Sequence, residues 1–328
     1  MSHVHYYRVK ARTHFELGVQ LARLFKGPSL EIYHDTLKKI IIDKKLLSIS
    51  EDYLKATEGR FPLYIEELRG YVHELNVDFS TYWITFLSEE LDIYPEKCTS
   101  CFSQDGMIIG HNEDFYGYYQ DKIALVEKTV GDMNFLELYY YNSLGGTACG
   151  VNSNGYVQTI NTLHHKNSRI GIPRNIIARW LSETKNPKDD FTKMEKLKLS
   201  MGYSHTFGNV KGEVVNIETT GSASRLTNSV LPYVHTNHYL TDLSVFEEIV
   251  GPSNTVERYM QASKLITSVR TAEGMMELLE NVSCLLSNKE RECDTIARMV
   301  FDLKNKVVWC WLGRESSKGW IKYPIRFL

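Results

Sequence analysis

The chain has 328 residues, a length that suits two domains or one large one. Apolar residues make up 43% and charged residues 24%, the balance of a globular protein with a sizeable core. The 38 Lys and Arg nearly match the 40 Asp and Glu, and the formal net charge of -2 excludes the basic footprint of a dedicated nucleic-acid binder. No apolar run reaches the roughly 18 residues of a membrane span, and the N-terminus lacks an apolar signal core. We therefore expect a cytoplasmic protein with no nucleic-acid or membrane partner.

Helical patterns fill the chain up to about residue 95. A capping box that begins at Thr13 predicts a helix start, and we expect that helix to stop at Gly27. Apolar spacing predicts further helices over residues 53–71, with a break near Pro62, and over residues 80–91. No β-hairpin is predicted in this part of the chain.

Hairpin patterns dominate from Cys98 onward. Pairs of β-prone runs flank four turn dipeptides, which are Asp105-Gly106, Asn154-Gly155, Lys211-Gly212 and Lys304-Asn305. The first two are dipeptides that type I′ turns prefer. Helices are predicted between the hairpins over residues 173–184, 254–268 and 272–286, the second opened by a capping box at Asn254. Antiparallel hairpins mixed with blocks of helices predict an α+β domain in which helices cover the sheets.

The first hairpin leads to a chemical prediction about Cys98. If its turn has two residues, Cys98 lies opposite Glu113, with Asp114 one residue beyond, at the same end of the sheet. A cysteine attacks as its thiolate, so a nucleophile needs a nearby base, cation or hydrogen-bonding set. The hairpin alone leaves two interpretations of Cys98 open, a nucleophile or a buried and inert core residue.

Short motifs spread over nearly the whole chain stand in the order found in one known enzyme family. They are residues 15–18 (FELG), 67–70 (ELRG), 98–100 (CTS), 110–115 (GHNEDF), 150–155 (GVNSNG), 160–161 (IN), 212–218 (GEVVNIE), 235–238 (HTNH), Arg258 and 294–302 (DTIARMVFD). In these motifs the chain resembles the acyl-coenzyme A:6-aminopenicillanic acid acyltransferases. That family is a branch of the N-terminal nucleophile hydrolases and is related to the choloylglycine hydrolases and penicillin V acylases.

The resemblance implies a fold and a processing step. Residues 98–328 are expected to form a four-layer αββα sandwich, with residues 1–97 as a helical prosegment packed on it in one compact unit. Self-cleavage between Lys97 and Cys98 would free the α-amine of Cys98. An α-amine has a pKa of about 7.7–8.0, so it can take the thiol proton without a histidine. Lys97 stands where these proteins often have a small residue such as glycine.

The resemblance also implies roles for four further residues. Asp114 matches the aspartate that orients the nucleophile's amine, and Asn161 and Asn237 match donors to the tetrahedral oxyanion. One such donor is worth roughly 2.7–4 kcal/mol. We expect Asn237 within about 4–7 Å of the Cys98 sulfur, which leaves space for a substrate carbonyl. Arg258 stands in the first turn of a predicted helix, a poor place for a cation beside the helix dipole, so we expect Asp114 to hold it.

The implied reaction is acyl transfer through a Cys98 thioester, either hydrolysis of a linear amide or transfer to an amine acceptor. The implied substrate is a small-molecule amide or an acyl-coenzyme A, and no cofactor is expected. His111 stands where bile-salt hydrolases have an arginine, next to the matching Asn112, and we place both with Tyr116 on the substrate side. The tyrosines within residues 116–119 and 139–141 are interpreted either as an acyl pocket or as core packing.

Other interpretations of these residues stay open. Cys98-x-x-Cys101 could be half of a zinc or redox site, but no second such pair exists, and the two side chains would point to opposite faces of one strand. No metal is therefore expected, and His164-His165 is interpreted as a solvated loop. A non-catalytic alternative is an unprocessed relative that binds a ligand. Assembly into a homo-oligomer is left open.

Overall fold

The computed structural model describes residues 5–91, 97–142, 144–248, 253–282, 285–286 and 293–328. Its helices are α1 (His14–Leu24), α2 (Lys26–Leu37), α3 (Lys44–Glu58), α4 (Pro62–Leu75), α5 (Phe79–Phe86), α6 (Ser88–Leu91), α7 (Arg174–Leu181), α8 (Pro187–Met194), α9 (Thr255–Leu265) and α10 (Ala272–Asn281). Its strands are β1 (Tyr6–Ala11), β2 (Lys97–Phe102), β3 (Ile108–Tyr116), β4 (Ile123–Val130), β5 (Met133–Tyr140), β6 (Cys149–Asn152), β7 (Tyr156–Leu163), β8 (Gly202–Asn209), β9 (Val214–Thr219), β10 (Ser224–Asn228), β11 (Tyr233–His235), β12 (Leu285–Leu286), β13 (Cys293–Asp302), β14 (Val307–Leu312) and β15 (Ile321–Pro324). Within these ranges, no helix has the length and apolar character that crossing a membrane requires.

Two closely crossed helices, α1 and α4, dominate the N-terminal segment. The predicted cap is present, because the Thr13 side chain accepts a hydrogen bond from a backbone amide in the first turn of α1. A Cβ added to Gly18 would stand 1.9 Å from the Glu67 carbonyl oxygen. A Cβ added to Gly70 would stand 2.0 Å from the Phe15 carbonyl oxygen. Only glycine permits this approach, which explains why both motifs of the segment end in glycine.

Two helix boundaries in this segment differ from the predicted ones. The helix expected to stop at Gly27 is two helices, and α2 runs through Pro28. Proline is tolerated there because the first-turn N–H groups of a helix have no partner within the helix. The helix expected from residue 53 begins earlier, since Asp43 caps α3 by accepting from the Leu46 amide at 2.8 Å. The break near Pro62 is confirmed, because α4 begins at that residue.

The strands form two sheets. The first sheet has the order β1-β4-β5-β6-β7-β8-β9-β10, and the second has β11-β2-β3-β13-β14-β15, with β12 beside β13. Among the pairs described, β1 runs parallel to β4 and the other neighbours are antiparallel. The strand β1 precedes Cys98 and was not predicted, because a short edge strand is stabilised by a neighbour far away in sequence. Residues before Cys98 therefore contribute a strand to the first sheet as well as helices that cover it.

The two sheets pack face to face between two helical layers. Phe102 and Ile109 of the second sheet share a core with Leu136 and Val157 of the first. On the outer side of the first sheet, α1 to α5 and α7 share a second core with side chains of β4 and β5. On the outer side of the second sheet, Met275 and its neighbours in α9 and α10 pack on β2 and β13. These layers confirm the expected α+β, four-layer αββα sandwich.

The predicted hairpins are present, but their turns differ from type I′. The register of the first hairpin is confirmed, with Cys98 paired to Glu113. In its turn only Gly106 has a positive φ, whereas type I′ needs positive φ at both central residues. The Asn154-Gly155 hairpin is one residue out of the two-residue register, because Val151 pairs with Val157 and Asn152 Oδ1 accepts from two amides of the wider loop.

The last predicted helix, over residues 272–286, is too long. The helix α10 ends at Asn281, and Leu285–Leu286 pair with β13 as a short strand. A run of leucines fits a helix face and a buried strand equally well, so the pattern alone does not separate the two.

Candidate active site

Cys98 lies at the start of β2, buried, with side chains from other elements bonded to its backbone. Its amide N–H donates to Asn237 Oδ1 at 2.9 Å. Its carbonyl oxygen accepts from Arg258 Nη1 at 2.8 Å. The structure thus brings together three of the residues that the resemblance implied, and Cys98 is more than 100 residues from each of the other two in sequence.

Asn237 uses both ends of its amide. Oδ1 accepts from Arg258 Nη2 at 2.8 Å as well as from Cys98, and Nδ2 donates to the Thr162 carbonyl at 3.1 Å. Asn237 is therefore in direct contact with the backbone of Cys98, through its acceptor oxygen. In this arrangement its amide positions the nucleophile's nitrogen, and its donor group is occupied by the Thr162 carbonyl.

Arg258 lies in the first turn of α9 and extends beneath Cys98. Its Nε donates to Asn254 Oδ1 at 3.0 Å, so the oxygen expected to cap the helix binds the guanidinium instead. The predicted capping box at Asn254 is therefore absent. Nη1 of Arg258 lies 3.8 Å from Asp114 Oδ2, which is the expected ion pair.

Asp114 lies on the opposite face of β3 from the Cys98 side chain, fully buried. Thr295 Oγ1 donates to its Oδ1 at 2.5 Å. Burial raises the pKa of Asp114 to about 6, because the charge of Arg258 and the bond from Thr295 offset only part of the lost hydration. In this structure Asp114 bonds to residues around Cys98, and its direct bond to the freed amine stays a prediction.

A second set of polar side chains lies between the two sheets, on the face that Cys98 shares. Cys98 Sγ is 3.7 Å from Glu113 Oε2. The same oxygen is 2.9 Å from His111 Nε2, and Tyr140 of the first sheet donates to Glu113 Oε1 at 2.7 Å. Glu113 is therefore the carboxylate nearest to the thiol among the contacts described.

This chain of contacts continues from His111 to Asn161. His111 Nδ1 is 3.0 Å from Ser100 Oγ, which donates to Asn161 Oδ1 at 2.8 Å. Asn161 Nδ2 points to the His235 carbonyl at a long 3.4 Å. The contacts connect Asn161 to Cys98 through buried side chains, and they leave the Asn161 N–H only weakly engaged.

The three residues predicted on the substrate side lie in different surroundings. His111 is fully buried, with both ring nitrogens engaged inside the protein. Asn112 points to the other face of the sheet, where its Nδ2 donates to the Leu279 carbonyl of α10 at 2.9 Å. Tyr116 is half-buried at the end of β3 and stacks on Tyr118, with ring centroids 5.6 Å apart. These positions give no support to substrate contact by His111 or Asn112.

An aromatic cavity lies between the N-terminal helices and the strands that carry Phe115 and Tyr140. It encloses about 70 Å³ and is lined by Ile32, Thr36, Thr85, Phe86, Ser88, Phe115, Tyr119, Tyr140, Tyr141, Asn142, Thr147, Asn175 and Tyr203. Tyr140 borders this space and also bonds to Glu113, so one side chain connects the cavity wall to the polar side chains near Cys98. A wider charged cavity of about 700 Å³ shares Ile32, Thr36 and Tyr119 with it. Residues from both sides of the Lys97–Cys98 bond form its walls.

The residues of the site fit a metal ion poorly. Cys98 Sγ, His111 Nε2 and Glu113 Oε2 lie within 4.8 Å of one another, and no other such group was found in the described part of the chain. Ligand atoms about 2.0 Å from a tetrahedral zinc ion would be roughly 3.3 Å apart. The 2.9 Å contact between His111 and Glu113 is instead a direct hydrogen bond, with no space for an ion between the atoms.

Cys101 and His165, which were considered as possible metal ligands, are both buried. Cys101 faces α9 and α10, away from the Cys98 side chain, and burial raises the pKa of its thiol. His165 is buried rather than solvated, which corrects the loop interpretation, and burial lowers its pKa to about 4.

Comparison with known sequences decides the family. The pattern of the family described as Acyl-coenzyme A:6-aminopenicillanic acid acyl-transferase matches residues 101–317, well over half of the chain. The chain belongs to this acyl-transferase family. The match begins three residues after Cys98 and includes Asp114, Asn161, Asn237 and Arg258.

One curated relative of this acyl-transferase family member is the beta-alanyl-dopamine/carcinine hydrolase of Drosophila melanogaster. It is 26% identical over 210 residues, which are 55% of this chain and 54% of the relative. The chain thus matches about half of the relative's length.

Solved structures of two hydrolases are similar at low identity. A mutant of conjugated bile acid hydrolase from Clostridium perfringens has 12% identity, covers 70% of this chain and 92% of its own, and has a TM-score of 0.48. Penicillin V acylase from Agrobacterium tumefaciens has 12% identity, covers 66% of this chain and 83% of its own, and has a TM-score of 0.47. The layered fold described above rests on this chain's own strands and packing, independently of these likenesses.

The sequence patterns missed several residues of the candidate site. Glu113 was placed opposite Cys98 by the hairpin register, but only as one of two neighbouring carboxylates. Ser100 was not assigned to the site, and Tyr140 was considered only as part of an acyl pocket or of the core. The alternation of β2 could have found Ser100, since it shares a face with Cys98. The contact of Tyr140 with Glu113 had no such signal, because Tyr140 belongs to the other sheet.

Proposed function

We propose that the chain is a self-processing cysteine amidohydrolase or acyltransferase, with Cys98 as the nucleophile and a linear amide as the substrate. The observation that carries the proposal is the set of polar side chains that surround Cys98. Side chains of Asn237 and Arg258 bind its backbone nitrogen and oxygen, and a buried carboxylate lies near its sulfur. An inert core cysteine needs no such set of polar side chains, each of which is costly to bury.

The mature enzyme would use the freed α-amine of Cys98 as its base. An α-amine with a pKa of about 7.7–8.0 is half-neutral near physiological pH, so it can accept the thiol proton. Asn237 Oδ1, which accepts from the Cys98 nitrogen, would keep the amine beside its own thiol. The thiolate then attacks the amide carbonyl, the leaving amine takes a proton, and a thioester forms on Cys98. Attack by water completes hydrolysis, and attack by an amine completes acyl transfer.

The oxyanion of the tetrahedral intermediate would be stabilised by side-chain amides. Asn161 offers an N–H whose internal bond to the His235 carbonyl is long, at 3.4 Å. Asn237 offers an N–H that must first leave the Thr162 carbonyl at 3.1 Å. We therefore expect Asn161 to supply the larger part of this stabilisation.

The aromatic cavity favours a substrate with an aromatic group. Phe115, Tyr119, Tyr140 and Tyr141 line it, and aromatic pairs gain about 0.5–1.5 kcal/mol beyond their area burial. The Drosophila relative is named for beta-alanyl-dopamine and carcinine. An acyl-coenzyme A is the alternative substrate, and a panel of both classes separates them. The panel contains β-alanyl amides of arylethylamines, penicillin V, N-acyl amino acids, bile-salt conjugates and acyl-coenzyme A with an amine acceptor.

Intact mass under denaturing conditions tests the proposal most directly. Scaling 37.9 kDa by 97/328 and by 231/328 gives expected fragments of about 11 and about 27 kDa. Cys98→Ala should leave one full-length species and abolish turnover of every amide in the panel. A Cys98→Ala variant that still splits or still turns over substrate would overturn the proposal.

The second candidate is an unprocessed ligand-binding protein. The aromatic cavity would then hold a ligand without turnover. A single 37.9 kDa species in the wild type, without activity on the panel but with saturable binding of one of its members, would favour this candidate.

A further inference from the structure

Self-cleavage poses a chemical problem that the mature enzyme does not have. Before the Lys97–Cys98 bond breaks, the Cys98 nitrogen is an amide, which has no proton-accepting lone pair to offer. The thiol proton must therefore go to another group in the precursor. The candidates are the charged and polar side chains around Cys98, and the structure distinguishes among them by face and by distance.

Glu113 is the carboxylate on the thiol side. Its Oε2 lies 3.7 Å from Cys98 Sγ, within reach for a sulfur donor. Asp114 is on the other face of the strand, where it is bonded to Thr295 and paired with Arg258. Arg258 carries no acceptor, and its Nη1 is directed at the Cys98 carbonyl. These placements favour Glu113 as the acceptor.

The directions of the hydrogen bonds around His111 determine which of its ring nitrogens carry a proton. Ser100 has one hydroxyl proton, and it donates that proton to Asn161 Oδ1, which can only accept. Ser100 Oγ must then accept from His111 Nδ1, so Nδ1 is protonated. The Asn161 orientation agrees, because its Nδ2 faces the His235 carbonyl. His111 is thereby fixed as a donor toward Ser100.

The other side of His111 carries a second proton. The 2.9 Å contact between His111 Nε2 and Glu113 Oε2 needs one proton between the two atoms. With Nδ1 already protonated, the pair is an imidazolium beside a carboxylate, or an imidazole beside a carboxylic acid. In the first form Oε2 is negative and keeps a lone pair free for the thiol proton, while Tyr140 donates to Oε1.

We propose that the Glu113–His111 pair is the base that starts self-cleavage, an inference that rests on the proposed role of Cys98. Glu113 Oε2 takes the thiol proton, and the positive charge of His111 stabilises the thiolate. The thiolate attacks the Lys97 carbonyl carbon to form a tetrahedral intermediate. The bond between Lys97 carbon and Cys98 nitrogen then breaks, and the nitrogen takes the proton back from Glu113.

The products of this step account for every proton. They are a thioester between Lys97 and the Cys98 sulfur, a free α-amine on Cys98, and Glu113 returned to its carboxylate form. Water hydrolyses the thioester to a Lys97 carboxylate and the Cys98 thiol. The base of the precursor is thus Glu113, and the base of the mature enzyme is the α-amine that its action creates.

The rate of processing tests the inference. Precursor is made by cell-free synthesis, and its conversion is followed by intact mass between pH 5 and pH 9. Glu113→Gln should slow conversion roughly 10²–10⁴-fold, the usual contribution of a general base. Without the carboxylate, thiolate must form through solution hydroxide, so the residual rate should rise about tenfold per pH unit below the ordinary thiol pKa of about 8.5. Glu277→Gln, on the exposed face of α10, is the matched control and should convert at the wild-type rate.

The variants also separate this inference from the proposed function. If Cys98→Ala blocks conversion while Glu113→Gln converts at the wild-type rate and pH profile, the Glu113 role is overturned and Cys98 keeps its role. Conversion of Cys98→Ala would overturn both. Should Glu113→Gln fail to unfold cooperatively in urea, His111→Gln takes its place. That variant removes the imidazolium and is expected to convert at least about tenfold more slowly, and a wild-type rate would contradict the pair.

Discussion

Two fully buried carboxylates of this protein, Glu67 and Asp114, have opposite electrostatic surroundings. Burial alone would raise the pKa of Glu67, but Arg179 at 3.0 Å and His14 at 2.8 Å outweigh it and lower the pKa to about 2. Burial wins at Asp114 and raises its pKa to about 6, because Arg258 stands 3.8 Å away and bonds to Cys98 as well.

The difference distinguishes buried ion pairs that stabilise the fold from the charged groups of the candidate site. Glu67 connects the N-terminal helices to α7, and its cluster has its charges paired inside the protein, including Lys128 with Glu137 at 2.6 Å. The carboxylates beside Cys98 are paired more loosely, through groups that they share with the nucleophile. Both Glu67 and Asp114 have a perturbed pKa, and the latter, whose pKa is raised, shares Arg258 with the proposed nucleophile.

The largest expected effect on stability comes from breaking the Glu67 cluster. Arg179→Ala leaves Glu67 buried without its main partner, and we expect a loss of about 3–5 kcal/mol in the free energy of unfolding, measured in urea. Arg23→Ala removes an exposed ion pair with Glu74 and should leave the free energy of unfolding nearly unchanged. Equal losses in the two variants would show that burial of the Glu67 pair adds nothing to its importance.

A substitution at Asn161 tests the proposed role of the candidate site in catalysis. Asn161→Ala should lower kcat by roughly 10²–10³ while KM changes little, since an oxyanion donor acts in the transition state. Asn237→Ala should also slow the precursor's conversion, because Asn237 binds the Cys98 nitrogen. A change confined to KM in Asn161→Ala would remove it from the oxyanion site.

The pH dependence of stability should have opposite signs for the two carboxylates. With a folded pKa of about 6 against an ordinary value of 3.8, Asp114 binds its proton more tightly in the native state. Stability from this group is therefore present below about pH 4 and is lost as pH rises to about 6. Glu67, with a folded pKa of about 2 against 4.5, contributes stability above about pH 4.5 that is lost as pH falls toward 2.

Substitution isolates each contribution. In the wild type, ionisation of Asp114 should lower the free energy of unfolding by about 2–3 kcal/mol between pH 4 and 6, since one pKa unit corresponds to about 1.4 kcal/mol. Asp114→Asn does not ionise, so this decline should be absent from the variant. In the wild type, the free energy of unfolding should instead increase as pH rises to about 4.5, and Glu67→Gln should lack this increase. Urea unfolding of both variants and the wild type at several pH values checks the signs, and parallel curves for the wild type and Asp114→Asn would contradict the raised pKa.

The smallest expected effect concerns the contact between α1 and α4. Gly18→Ala puts a Cβ 1.9 Å from the Glu67 carbonyl oxygen, so the helices must separate, at a cost of about 1–3 kcal/mol. Gly59→Ala is the control, because an added Cβ there meets nothing within 4 Å and should change stability by about 1 kcal/mol or less. Thermal unfolding of the two variants makes the comparison, and a neutral Gly18→Ala would show that the crossing adapts.

The amino-acid sequence by itself determined the local frame of the site. Alternation along β2 and β3 and the short turn between them set Cys98 opposite Glu113, because register in a hairpin depends on neighbours in the chain. The order of motifs along the chain indicated the family that residues 101–317 match. The presence of Asn237 and Arg258 beside Cys98 followed from that resemblance and not from local pattern.

Tertiary structure alone decided which polar atoms meet. Strand alternation put Glu113 and Asp114 on opposite faces, but only the packing of the first sheet brought Tyr140 and Asn161 to the Glu113 face. Only the placement of α9 gave Asp114 its arginine and diverted Asn254 from capping. The edge strand β1 and the aromatic cavity likewise depend on segments far apart in the chain. Local pattern reports periodicity within a few residues, whereas hydrogen bonds across layers and the burial that shifts a pKa depend on atoms that meet only in the folded chain.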